Sequence, residues 1–134
     1  MTLSDSERLA IINYRIEKAH NTLVEAKYVA QGGFWSLVAS RLYYAAFYLC
    51  LALLIKNGFT ANTHAGVNSM ISLHFVHTGK LSKDEGRLIG KLFRMRQTGD
   101  YDDLTEWSEE DILPIIPKVE ALMNKIESLI TDSE

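Results

Sequence analysis

The chain has 134 residues and a net charge of -3, with 47% hydrophobic and 23% charged residues, eight glycines and two prolines. A chain of this length buries roughly two thirds of its unfolded surface, enough for one core without staples, and this composition excludes disordered, collagen-like and disulfide-framework proteins. Cys50 is the single cysteine, which excludes an intrachain disulfide, and residues 1–7 lack the basic start and apolar stretch of a secretion signal, so a cytoplasmic location is expected.

Ser4 and Glu7 have capping-box spacing, in which each side chain satisfies the other residue's free amide and starts a helix. Leu9, Ile12, Ile16, Ala19, Leu23, Ala26 and Ala30 then recur in alternating steps of three and four, one stripe of a helix that ends at Gly32 and Gly33. A second helix is predicted over 34–57, closed by Gly58. Within it, residues 42–55 carry no charge and lie between Arg41 and Lys56. Fourteen residues fall short of the about 20 that span a membrane, so this stretch predicts a rod buried on all sides, with no membrane as partner. Its Tyr43, Tyr44 and Tyr48 need polar partners there.

After a link over 59–62, Val67, Met70, Ile71 and Phe75 give helical spacing to a third helix over 63–77, ended by Gly79. Ser82 and Glu85 repeat the capping box, and Leu88, Ile89, Leu92 and Met95 form the apolar side of a fourth helix that runs to Gly99. Ser108 and Asp111 form a weaker cap for a fifth, striped by Ile112, Ile115, Ile116, Val119, Leu122, Met123, Ile126, Leu129 and Ile130. That stripe passes through Pro114 and Pro117, which predicts kinked or loosened first turns instead of a separate element. These elements predict an all-α protein, an up-and-down bundle of four to five helices forming one domain over 1–134.

Charge is unevenly placed along the chain. Lys80, Lys83, Arg87, Lys91 and Arg94 follow one another by three or four positions and share a face of the fourth helix, with Arg96 near its end. An acidic block follows at once: Asp100, Asp102, Asp103, Glu106, Glu109, Glu110 and Asp111. The basic strip is either a solvated face whose last cations meet the helix dipole, or a patch for nucleotide or RNA phosphate. Arg41 heads the apolar rod and cannot shed its charge, so it is either exposed at the rim or paired with Glu25, Asp100, Asp102 or Asp103. His20, His64, His74 and His77 lack the neighbours that complete a metal set, and neither a Gly-flanked serine elbow nor a Gly-rich phosphate loop occurs. No metal and no cofactor are expected.

Four separated strings carry a family resemblance: Ser40-Arg41-Leu42-Tyr43-Tyr44-Ala45-Ala46-Phe47, then Ala52-Leu53-Leu54 with Gly58-Phe59, then His64-Ala65-Gly66, and last Arg96-Gln97-Thr98-Gly99-Asp100-Tyr101. In this order the chain resembles the HEPN family, the higher eukaryotes and prokaryotes nucleotide-binding domain. The resemblance implies a bundle of four or five helices, a homodimer, and a genomic partner that is a minimal nucleotidyltransferase, the two forming a toxin and antitoxin pair. It also implies a cleft in which family ribonucleases use an Arg followed a few residues later by a His.

Arg96 matches the Arg, but Tyr101 stands five positions on and no histidine follows His77. A phenol with pKa about 10 is a poor proton shuttle at neutral pH, so binding of nucleotide or RNA phosphate is expected ahead of cleavage. Arg96, Tyr101 and Asp100 are the candidates for chemistry, and Arg41, Tyr44, His64 and Arg94 for ligand binding. Two rivals remain: a metal-independent endoribonuclease toxin built on Arg96, and a ligand-free scaffold whose first and last helices form a dimer seam.

Overall fold

The computed structural model describes residues 3–101 and 106–132, with 97–101 as helical backbone only. The described residues form helices and no strands: α1 (Asp5–Gln31), α2 (Trp35–Lys56), α3 (His64–Ile71), a π-helical turn (Ser72–Val76), α4 (Lys83–Tyr101), α5 (Glu109–Ile112), a 3-10 turn (Leu113–Ile115) and α6 (Ile116–Thr131).

The predicted caps start three of these helices. Ser4 Oγ accepts from the Glu7 amide at 3.1 Å while Glu7 Oε1 accepts from the Ser4 amide at 2.8 Å, and these bonds hold the Glu7 carboxyl below the usual carboxylate range. Ser82 and Glu85 exchange the same pair of bonds, as do Ser108 and Asp111, so the third cap is a full box and stronger than the sequence suggests. Gly33 and Gly58 take φ of +76° and +79°, closing α1 and α2 where a β-carbon would be strained.

Helix α2 is the central rod. It packs on α1, α3, α4, α5 and α6 and buries Val38, Leu42, Leu49, Leu53 and Leu54. Ser40, Arg41, Tyr44 and Tyr48 stay half-buried along one edge, so the rod is not buried on all sides as its uncharged run predicts: its tyrosines keep their polar ends toward that edge. By length and composition alone it could cross a membrane, but its buried side chains are enclosed by the other helices. Arg8 Nη1 of α1 donates to the Ile55 carbonyl in the last turn of α2 at 2.9 Å, and Lys56 Nζ of α2 donates to the Ile130 carbonyl in the last turn of α6, so side chains from neighbouring helices bond carbonyls at both helix ends. Cys50 is buried in it, and burial pushes its thiol up to about 12, which leaves it inert as a nucleophile.

Helix α1 buries Ile12, Ala19 and Ala26 of its predicted stripe, with Ile16, Leu23 and Ala30 packed at the edge. Leu9 is exposed, and Thr22 takes a core position at no loss because its hydroxyl donates to the Lys18 carbonyl at 2.7 Å. In α6 the stripe from Val119 to Ile130 also faces the core, and the His20–Glu127 hydrogen bond at 2.6 Å and the Lys27–Glu120 ion pair at 2.5 Å join α1 to α6 within one chain. The stripes that suggested a dimer seam are thus packed inside the bundle.

The elements depart from their predicted bounds at three points. The third helix is α only to Ile71 and then widens, His77 donating to the Ser72 carbonyl five residues back at 2.9 Å. In this wider turn His74 stacks on Phe59 at 4.0 Å while Phe75 stays buried. The fourth helix passes through Gly99 to Tyr101, since one glycine disfavours a helix by only about 1 kcal/mol. In the fifth rod α5, the 3-10 turn and α6 run on without a break, so the prolines loosen the first turns as their missing amides require.

Candidate functional site

Three elements meet around the middle of α2. Helix α2 presents Arg41, Tyr43, Tyr44 and Phe47, α3 presents His64 in its first turn, and α4 presents Phe93 and Arg96. The start of α3 is held by Thr63, whose hydroxyl accepts from the Gly66 amide at 2.9 Å, and this fixes where His64 leaves the backbone.

Two guanidiniums converge on one ring. The Arg41 guanidinium lies 5.2 Å from the Tyr44 ring centre and that of Arg96, from another helix, 5.6 Å from it. Of the four carboxylates expected as partners of Arg41, the side chains of Asp100, Asp102 and Asp103 lie outside the described residues, and Glu25 lies 3.4 Å from Nη1, with side-chain exposures of 30% and 59%. That pair is long and half in solvent, where such contacts contribute roughly 0–1 kcal/mol. Arg41 Nε is buried with no hydrogen-bond acceptor among the described residues.

His64 is held from two sides. Its ring stacks on Phe47 at 4.4 Å, and its Nδ1 lies 2.7 Å from the Tyr43 hydroxyl. Burial pushes the Tyr43 phenol well above its ordinary range, and the Arg96 charge offsets this only in part, so Tyr43 keeps its proton and donates it. Neutral His64 then accepts at Nδ1 and carries its proton on Nε2, a fixed donor and not a ready base. Burial and, second, the Arg96 guanidinium lower the His64 pKa, which keeps the ring neutral at pH 7.

These causes make a measurable expectation. In a ¹⁵N–¹H spectrum His64 is expected to show the Nε2–H tautomer and to titrate below the ordinary value of about 6.5. Arg96→Gln removes a repelling cation and is expected to move the midpoint upward. A midpoint unchanged by that substitution would separate His64 from Arg96.

Of the predicted residues, the structure brings together Arg41, Tyr44, His64 and Arg96. Arg94 is not among them. Two positions along a helix turn the side chain by roughly 200°, so Arg94 lines a different furrow, between α3 and α4. The side chains of Asp100 and Tyr101 lie outside the described residues. Sequence reasoning did not assign Tyr43 or Phe47 to the site, although a tyrosine inside an uncharged run signals a buried hydroxyl that needs a partner. Among the described residues no three His, Cys, Asp or Glu side chains converge as a metal would require.

An α-helical bundle with two arginines over one tyrosine ring, a stacked histidine and clustered tyrosines defines a class of small helical domains with a cationic and aromatic cluster between helices. Comparison with known proteins identifies the class: the HEPN domain family model matches residues 12–129, and the chain belongs to that family. A protein of Thermotoga maritima named "UPF0332 protein" is 36% identical over 127 residues, covering 95% of this chain and 96% of its own. Two proteins of Methanocaldococcus jannaschii are each 31% identical. The one named "Putative toxin MJ0142" aligns over 82% of this chain and 75% of its own, and the one named "Putative toxin MJ0605" over 87% of each.

Proposed function

We propose that this HEPN protein binds nucleotide or RNA phosphate in the Arg41–Tyr44–Arg96 pocket. In this reading it acts as a homodimer and as the toxin-like member of a pair with a nucleotidyltransferase. The observation that carries it is the convergence of Arg41 and Arg96 on the Tyr44 ring. Guanidiniums gathered at one ring attract a phosphate by charge and by the forked geometry of their donors. Tyr44 offers an aromatic face and His64 a fixed N–H, the groups that bind an unstacked nucleotide. The toxin names of two relatives support the toxin-like part of this reading, while the pairing rests on family likeness, as does Tyr101 as the acceptor of a nucleotidyl group from a nucleoside triphosphate held by the transferase, with pyrophosphate leaving.

The test is calorimetric titration of the purified protein at low salt with 5′-AMP, inorganic phosphate and adenosine. Binding of the two phosphates that weakens with salt, with adenosine bound far more weakly, is the expected result. Heat of binding equal for 5′-AMP and adenosine would sink the phosphate site.

The endoribonuclease reading has one observation in its favour: His64, from a distant part of the chain, lies close enough to Arg96 for the guanidinium to lower its pKa. Incubation of RNA with the protein in a chelator decides it. Cuts lost in His64→Gln would support cleavage, while RNA left whole by the unaltered protein removes this reading.

A further inference from the structure

We infer that the groove between the α1–α2 turn and the start of α5 is a docking surface for a partner protein, and that it takes a basic segment anchored by one bulky apolar side chain. The chain has two tryptophans, and both are in this groove. Phe34, Trp35 and Leu37 line one side of a cavity of about 290 Å³, and Glu106 and Trp107 line the other. None of Arg41, Tyr44 and Arg96 borders it, so the inference stands apart from the reading above.

The two walls are held in place by specific contacts. Phe34 is 63% exposed, yet its ring lies against the turn: a β-carbon at Gly32 would come within 2.6 Å of Phe34 Cε2, so glycine is what lets the ring settle there. Leu37, in the first turn of α2, is also exposed, while Trp35 and Trp107 pack half-buried against the core behind them. The Trp107 amide donates to Ser36 Oγ at 3.0 Å, which ties the second wall to the first. Trp107 Nε1 is buried and has no acceptor among the described residues. Buried donors are satisfied in nearly all native structures, and a main-chain carbonyl of the docked segment is the acceptor this one lacks. Adjoining exposed apolar side chains over such a cavity mark an interaction surface, and tryptophan is the residue type that most often dominates binding at one.

Volume and charge select the occupant. Small-molecule pockets run from about 300 to 1,000 Å³, and this cavity falls just below that range, a notch for a single anchor side chain. Residues 28–40 carry no charge, and 106–117 carry Glu106, Glu109, Glu110 and Asp111 with no Lys or Arg. These acids repel nucleic-acid phosphate and anionic lipid alike and attract Lys and Arg, whose cations the indole faces also hold. An apolar anchor with Lys or Arg on either side meets both demands.

The test starts from a displayed library of random decapeptides, selected on the purified, unaltered protein. The expected consensus is a Leu, Phe or Trp flanked by Lys or Arg on both sides. A synthetic peptide of that consensus is expected to shift the tryptophan emission, which the two groove indoles supply. Its affinity should fall at least tenfold for Phe34→Ser/Leu37→Ser, with the melting temperature kept because both positions are exposed. Glu106→Lys, also exposed, should weaken the same peptide and favour one in which Glu replaces the Lys and Arg flanks.

Failure to recover a consensus, an acidic or uncharged consensus, or one bound equally by Phe34→Ser/Leu37→Ser overturns the inference. Emission that stays unshifted at saturation does the same, because the peptide would then lie elsewhere. A dimer in sedimentation that becomes a monomer in Phe34→Ser/Leu37→Ser overturns it too, since the groove would then be a seam between copies. Each of these outcomes leaves phosphate binding at Arg96 standing.

Discussion

Arg96→Gln is expected to raise the dissociation constant for 5′-AMP by about 10- to 100-fold, the loss of charge-assisted hydrogen bonds worth roughly 1.5–3 kcal/mol. Glutamine keeps length and a polar end but loses the charge and the fork, so the comparison isolates what a guanidinium supplies. Arg94→Gln is the matched control. It removes the same charge two residues away from a side chain that lines the furrow and not the Tyr44 pocket, and less than a twofold change is expected with 5′-AMP. Equal losses from the two substitutions would mean that net charge alone attracts the ligand and that the pocket selects nothing.

Leu53→Ala is expected to destabilise the fold by about 2–5 kcal/mol, the range for a fully enclosed leucine that leaves a cavity in a core that closes only in part. Leu53 is 0% exposed in the last turn of α2, whereas Leu37, in the first turn of the same helix, is 47% exposed. Leu37→Ala makes the same chemical change with the same helix propensity, so its effect should stay within about 0.5 kcal/mol. Urea unfolding of both variants reads the difference directly. Matching midpoints would contradict the placement of α2 as the enclosed rod.

The order of helices, their starts and the identity of the central rod were legible in the chain because each rests on local chemistry. Ser and Glu three positions apart satisfy free amides wherever they occur, and an uncharged run such as 42–55 has to be enclosed. The family was legible for a related reason: the strings that hold Arg41, Tyr44, His64 and Arg96 stand in the chain as short local runs, inside the range 12–129 that the family model matches. The π-helical turn at Ser72–Val76 was not legible, since it depends on Phe59 stacking on His74 from outside the helix.

The basic strip shows the same division more sharply. Spacing placed Lys83, Arg87, Lys91 and Arg94 on one face, but only the packing of α3 and α6 on either side of α4 decided which cations share a cavity. His64, 32 residues before Arg96, became part of its surroundings only when α3 folded against α2 and α4. Helix periodicity and capping are properties of a few consecutive residues, and the sequence by itself determined those. The electrostatic neighbours of a side chain come from every element packed around it, so the approach of Arg41 and Arg96 to the Tyr44 ring, the tautomer of His64 and the placing of Arg94 in a separate furrow were decided by the tertiary structure.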